Sequence, residues 1–357
     1  MVVETKRTGR SARALQWVVL VCLLLSSGWA MAVDQCPALR VRQADPEVAT
    51  RIAAIACDEH VLWNRPFIDA KGRLASSAVY EAESRGLQDG GSPWRRVAFY
   101  WQSAGLLSPM AAKSGATDCN YAINSTYPGL GCRGFVVDNP WSAAFISWVM
   151  QRAGVPGFRS SASHFDYVRA ARVEPERSPY RFLDPMAAAP AIGDLLCYVR
   201  SNRVYGFRGL SDTIDGGASG LAMHCDAVVA TNPGGDGKAY AVGGNVQQAV
   251  TMRQFNLNAN GQLWGVAQRT EGDVECSPDT QDACNFNRQD WAVLLKLKTQ
   301  AELALIGPVQ PPTYLPNQVM PQACCVNCVV GSGVPRCPAP GQPPLQSQPQ
   351  GQLQGSE

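Results

Sequence analysis

The chain has 357 residues and 46% hydrophobic content, room for one large or two ordinary domains and enough apolar mass for a real core. Its formal charge is +2; four of the 31 basic and one of the 29 acidic residues lie in residues 1–32, so the remainder carries 27 against 28. A near-neutral chain offers no electrostatic attraction to nucleic acid or to an anionic membrane.

The N-terminus reads as a processing segment. Lys6, Arg7, Arg10 and Arg13 form a basic stretch, residues 17–25 an apolar run, and Ala30-Met31-Ala32 a small-residue cleavage site before Val33. The run is shorter than the ~20 residues a spanning helix needs. The expectation is a cleaved signal peptide over 1–32, no stable membrane insertion afterwards, and a periplasmic or secreted location. Val33-Asp34-Gln35 before Cys36 does not make a lipoprotein box, so no lipid anchor is expected. Of 13 cysteines, Cys22 leaves with the leader, and the remaining 12 are an even number, as an oxidising compartment favours. Spacing points to bridges Cys36–Cys57, Cys119–Cys132 and Cys276–Cys284; Cys197 and Cys225 pair if their strands are neighbours.

Val48, Ile52, Ile55 and Ala56 recur at helical spacing and predict an amphipathic helix over 46–62. Residues 66–92 are polar, with a weakly helical middle. Ser92-Pro93 opens a second helix whose apolar face is Trp94, Val97, Trp101 and Leu106. Residues 108–139 show no period. Asp138-Asn139-Pro140 marks a helix start, and the helix runs from about 140 to 153, stopping at Gly154. A further short helix is expected over 163–172. Beyond Pro190 the period becomes strand-like: 194–199, a Gly/Ser-rich loop over 201–221, then strands at 224–230, 239–242, 262–268 and 291–298. Helices first and an antiparallel sheet afterwards predict one α+β domain over 33–307. From Pro308 the composition shifts: eleven of the 25 prolines fall in the last fifty residues, an extended or disordered tail. Its Cys324-Cys325-x-x-Cys328 and Cys337 have zinc-like spacing, but disulfides are the better reading in an exported chain.

The chemistry-bearing candidates are Ser142, His224 and Asn245. Ser142 falls in the first turn of a helix, where free backbone N–H groups and the dipole favour a nucleophile and can hold an oxyanion. His224 opens a strand and Asn245 closes the next, so the turn at 231–238 brings them together as base and orienting group. Trp141-Ser142-Ala143-Ala144-Phe145-Ile146-Ser147-Trp148, then Gly193-Asp194, His224 and Gly244-Asn245, resembles the pattern of the CHAP and NlpC-type peptidoglycan amidases, with serine in place of their nucleophilic cysteine. Residues 141–150, 161–167, 193–197 and 224–226 are more closely similar to an uncharacterised bacterial branch, domain-of-unknown-function family 2272. The resemblance implies a papain-like fold and cleavage of an amide bond in peptidoglycan or a cell-wall peptide. Ser142 would then attack, with His224 as base and Asn245 orienting it. Trp141, His164 and Asp226 are expected to line the substrate cleft, and the 201–221 loop to cover it. No metalloprotease helix, phosphate-binding loop or dinucleotide fingerprint is present, and no metal or cofactor is expected. The alternative is a catalytically inactive module of the same fold that binds cell-wall peptide or glycan.

Overall fold

The computed structural model describes residues 34–76, 79–123 and 129–307. Residues 1–32, expected to be a signal peptide, and the tail 308–357 with its cysteines lie outside the described residues. The first half is helical apart from two short strands: α1 (Cys36–Leu39), α2 (Val48–Leu62), β1 (Phe67–Ile68), β2 (Leu74–Ala75), α3 (Pro93–Ser103), α4 (Cys119–Ala122), α5 (Leu130–Asp138), α6 (Ser142–Arg152) and α7 (His164–Val173). The second half carries the sheet: β3 (Tyr180–Leu183), β4 (Leu195–Val199), α8 (Gly206–Asp215), β5 (Met223–Thr231), β6 (Lys238–Val246), β7 (Ala249–Leu257), β8 (Leu263–Trp264), β9 (Asp290–Leu297) and a final α9 (Gln300–Ile306). The fold is α+β, as expected.

The sheet runs β2-β1-β7-β6-β5-β4-β9-β3, with β8 attached to β7. It is mixed rather than purely antiparallel, because β1 pairs in parallel with β7 through Phe67↔Met252. The segment around β1 and β2 is therefore sheet rather than weak helix. The expected loop over 201–221 contains α8, whose Leu210 and Ile214 are buried one turn apart; a two-residue apolar stripe among glycines and serines is a faint signal. The strand expected over 262–268 shortens to Leu263–Trp264, and β3 and β7 are strands the sequence reading did not anticipate.

Two cores flank the sheet. The larger lies between helices and strands and contains Ile52, Ile55, Val97, Phe145, Val149, Cys197, Cys225, Ala227 and Val229. The smaller, on the other face, contains Leu196, Tyr198, Val228, Phe255, Trp291 and Leu294. Successive strand residues point to opposite faces, so on β5 Cys225 enters the larger core while His224 lies against Tyr198, ring centroids 5.0 Å apart. All four expected disulfides are present: Cys36–Cys57, Cys119–Cys132, Cys197–Cys225 and Cys276–Cys284. Such a set is characteristic of an oxidising compartment. Among the described residues no helix is long and apolar enough to cross a membrane.

Candidate active site

Helix α6 begins at Ser142, two residues later than the Asp-Asn-Pro signal implies. Asp138 ends α5 instead, and Asn139 caps it, its Nδ2 donating to Phe135 O at 2.8 Å. Pro140 is thus the hinge between two helices and not the first residue of the second. The far end of α6 follows the expected stop: Gly154 takes a left-handed φ of 65°, and buried Arg51 donates from Nε to Ala153 O at 2.8 Å. Trp141, Phe145 and Trp148 seat the helix in an aromatic cluster with Trp63 and Tyr100.

Ser142 is 4% exposed. Its hydroxyl meets Nε2 of His164, the first residue of α7, at 2.7 Å. The other ring nitrogen, Nδ1, is hydrogen-bonded to the Tyr167 hydroxyl one turn along the same helix. Burial holds the His164 pKa well below the usual histidine value, and the neighbouring His224 and Arg200 lower it further. Burial likewise raises the Tyr167 phenol well above its ordinary range, so it stays neutral. His164 is a neutral imidazole with one nitrogen on the serine and the other on a phenol, the arrangement of a base and its orienting group.

His224 occupies a separate but adjoining network, its ring centroid 5.2 Å from that of His164. Its Nε2 lies 2.7 Å from Asp226 Oδ1, and Arg200 Nη2 lies 3.2 Å from its Nδ1. A guanidinium only donates, so Nδ1 carries the lone pair and the Nε2 proton is given to Asp226. Burial lowers the His224 pKa against the opposing pull of Asp226, with Arg200 and Arg253 reinforcing the decrease. Burial alone would raise Asp226, but His224 and Arg253 hold it below the usual carboxylate value. Asp226 Oδ2 is 3.1 Å from Arg253 Nε, an ion pair aligned too poorly to count as a hydrogen bond. Gly243 lets β6 pass this pair: a Cβ there would lie 1.7 Å from Asp226 Oδ1 and 3.0 Å from His224 Nε2.

The expected triad is therefore rearranged. Both nitrogens of His224 are engaged by Arg200 and Asp226, leaving no lone pair for Ser142; the serine's partner is His164, expected only to line the cleft. Asn245 does not orient His224. With its amide oriented to satisfy both groups, its nitrogen donates to Glu81 Oε2 and its oxygen accepts from Trp141 N–H, each at 3.2 Å. Trp141 is fully buried rather than facing a substrate, and its Nε1 donates to Glu81 Oε2 at 2.5 Å. Burial raises the Glu81 pKa, with the Trp141 bond opposing. Asp226 is the partner of His224 and is fully buried. Asp194 fixes the start of β4, accepting from Leu297 N at 2.9 Å and Ala191 N at 2.7 Å.

Sequence reasoning passed over Tyr167, Arg200, Arg253 and Glu81. Tyr167 lies one helical turn beyond His164 in the same short motif, so its spacing was available; the other three carry no local signal. Asp34, Cys36 and His60 form the described cluster of potential metal ligands, but Cys36 is committed to a disulfide and offers no thiolate.

The profile of the family described as "Uncharacterized protein conserved in bacteria (DUF2272)" matches residues 88–297. The chain belongs to this family. The matched span runs from the approach to α3 to the end of β9 and includes Ser142, His164, Tyr167, His224 and Asp226. No curated protein and no solved structure matches the chain.

Proposed function

We propose that this family member is an exported serine hydrolase that cleaves an amide bond in a cell-wall peptide, in the periplasm or outside the cell. The observation that carries the reading is the 2.7 Å contact between Ser142 Oγ and His164 Nε2 at the start of α6. The resemblance of residues 141–148 to the nucleophile helix of the CHAP and NlpC-type amidases, and the four disulfides, support the substrate class and the compartment.

In this reading His164 Nε2 takes the Ser142 proton as Oγ bonds to the carbonyl carbon. The oxyanion is held by N–H groups of the first turn of α6, which have no acceptor within the helix. For that transfer Nδ1 must carry the ring's other proton, and the Tyr167 oxygen accepts a hydrogen bond from that N–H while keeping its own proton. The imidazolium then protonates the departing amine as the C–N bond breaks, leaving an ester on Ser142. Water, deprotonated by His164, cleaves the ester and regenerates the serine. Tyr167 thus takes the place of the usual carboxylate, and the His224–Asp226 pair stands behind the base.

One observation favours a second reading, a binding module of the same fold: Ser142 is 4% exposed, so a substrate carbonyl reaches it only if neighbouring groups move. Incubating the purified protein with peptidoglycan and analysing released fragments by mass spectrometry separates the two. Fragments that vanish in Ser142→Ala support the hydrolase. Co-sedimentation with the wall and no fragments from the wild type support the binding module.

A further inference from the structure

A cavity of about 240 Å³ is lined by Tyr198, Arg200, Asn245, Arg253, Arg269 and Gln289, among others, and no carboxylate lines it. Three guanidiniums therefore face one small space. Arg253 is 3% exposed and pairs with Asp226. Among the described residues neither Arg200 nor Arg269 has a carboxylate within ion-pair distance. Arg269 reaches the backbone oxygens of Val199 and Ser201 with its Nη2, while its buried Nε has no hydrogen-bond acceptor. Arg200 is exposed and donates from its Nη2 to the Tyr198 hydroxyl and to His224. The orphaned Arg269 Nε is a buried cationic donor without an acceptor, which is costly, and a planar anion matched to the guanidinium fork relieves that cost.

The cavity adjoins the proposed active site through two residues. Arg200 donates to His224, and Asn245 accepts the Trp141 N–H one residue before Ser142. Its volume is below that of a drug-sized pocket, enough for the charged end of a longer ligand. We infer that this cavity is a carboxylate-binding subsite that takes a free carboxylate of the peptide substrate. The word "substrate" rests on the hydrolase reading; the anion site itself does not. An uncharged peptide gains nothing from the three guanidiniums, so the subsite selects peptides that carry a carboxylate close to the bond cleaved.

The test reads binding without turnover. Full-length Ser142→Ala protein, labelled with ¹⁵N, is titrated with N-acetyl-alanyl-alanine in its L,L and D,D forms. The corresponding C-terminal amides and inorganic phosphate serve as comparisons, and the arginine Nε–Hε signals are followed by NMR. Arg200→Gln and Arg269→Gln assign their signals. At least one acid should shift the Arg269 and Arg200 signals saturably and bind at least tenfold more tightly than its amide. Each Gln variant should weaken that acid about tenfold or more, as loss of a charge-assisted bond implies, and leave the amide unchanged. Raising the salt concentration should weaken the acid alone. Equal binding of acid and amide, absence of any shift, or tighter binding of phosphate than of either acid overturns the carboxylate assignment. Acid selectivity in a protein whose wild type releases no wall fragments removes the hydrolase reading and leaves the subsite standing.

Discussion

Lowering the pH from 7 to 5 should destabilise this protein through its histidines. All three in the chain are buried: His60 is 1% exposed, His164 3% and His224 0%. Burial is the leading cause in each case, and each pKa lies below the ordinary value, that of His60 at about 4. Because the folded values lie below the unfolded one, unfolding takes up protons as the pH falls. Stability is fully present above about pH 6.5 and is lost as the pH drops toward the folded values. Each histidine that stays neutral in the fold costs about 1.4 kcal/mol per pH unit below 6.5. His60 alone therefore removes about 2 kcal/mol by pH 5, and His164 and His224 act in the same direction. Glu81, Asp194 and Asp290, whose pKa values burial raises, oppose this by taking up protons in the folded state. Urea denaturation with disulfides intact, at half-unit steps from pH 8 to 5, reads the total. His60→Gln, whose amide can still donate to Pro66 O, should flatten the slope by about one proton. A stability that is constant or rises between pH 7 and 5 would refute the reasoning.

Asp226→Asn keeps an acceptor for His224 but strands the Arg253 cation; breaking a buried pair typically costs about 3–5 kcal/mol, which calorimetry at pH 7 would show as a large fall in melting temperature. Gly243→Ala places a Cβ 1.7 Å from Asp226 Oδ1; pushing the His224–Asp226 pair apart should cost more than about 2 kcal/mol, and a change within ±0.5 kcal/mol by urea denaturation would contradict the packing at β6. Tyr167→Phe removes the group on His164 Nδ1 and should lower kcat on any peptide substrate by about tenfold to a hundredfold, with KM and melting temperature little changed. The pH–rate profile should stay flat from pH 8 to 6.5, because His164 titrates well below the ordinary histidine value; an apparent pKa near 7 would sink His164 as the base.

The sequence placed Ser142 on its helix more clearly than it paired the side chains around it. Helix α6 and its serine were legible because an aromatic stripe and a glycine stop agree over a dozen residues, although the Asp-Asn-Pro start signal belongs to the end of α5. The four bridges were legible because short cysteine spacings leave few partners, and because Cys197 and Cys225 sit on runs that read as neighbouring strands. The histidines were harder. Whether His164 or His224 reaches Ser142 depends on which ring nitrogens other groups have already taken. The residues that take those of His224 are Arg200, just beyond β4, and Asp226, two residues along β5. Asp226 in turn is held by Arg253 on β7, a strand no pattern announced. Glu81 lies in a polar stretch without period, and only the folded chain brings it to Trp141 and Asn245. Residues separated by sixty or more positions leave no mark on one another in a single sequence.

The same burial that makes the histidines costly to stability also suits them to the proposed chemistry. Serine, unlike cysteine, loses its proton only in concert with attack and needs a partner that is neutral beforehand. A carboxylate on His164 Nδ1 would raise its pKa and favour the imidazolium at rest; the Tyr167 phenol orients the ring without adding charge. The negative charge in the site sits one imidazole away, on Asp226, where His224 and Arg253 hold it. That separation keeps His164 free to accept a proton, while Arg200 and Arg269 feel Asp226 and Asp290 only from beyond ion-pair distance. A substrate carboxylate in the cavity would bring a negative charge into direct contact with them. Ground-state neutrality at His164, set first by burial, and three guanidiniums lining the neighbouring cavity are then complementary features of one proposed site.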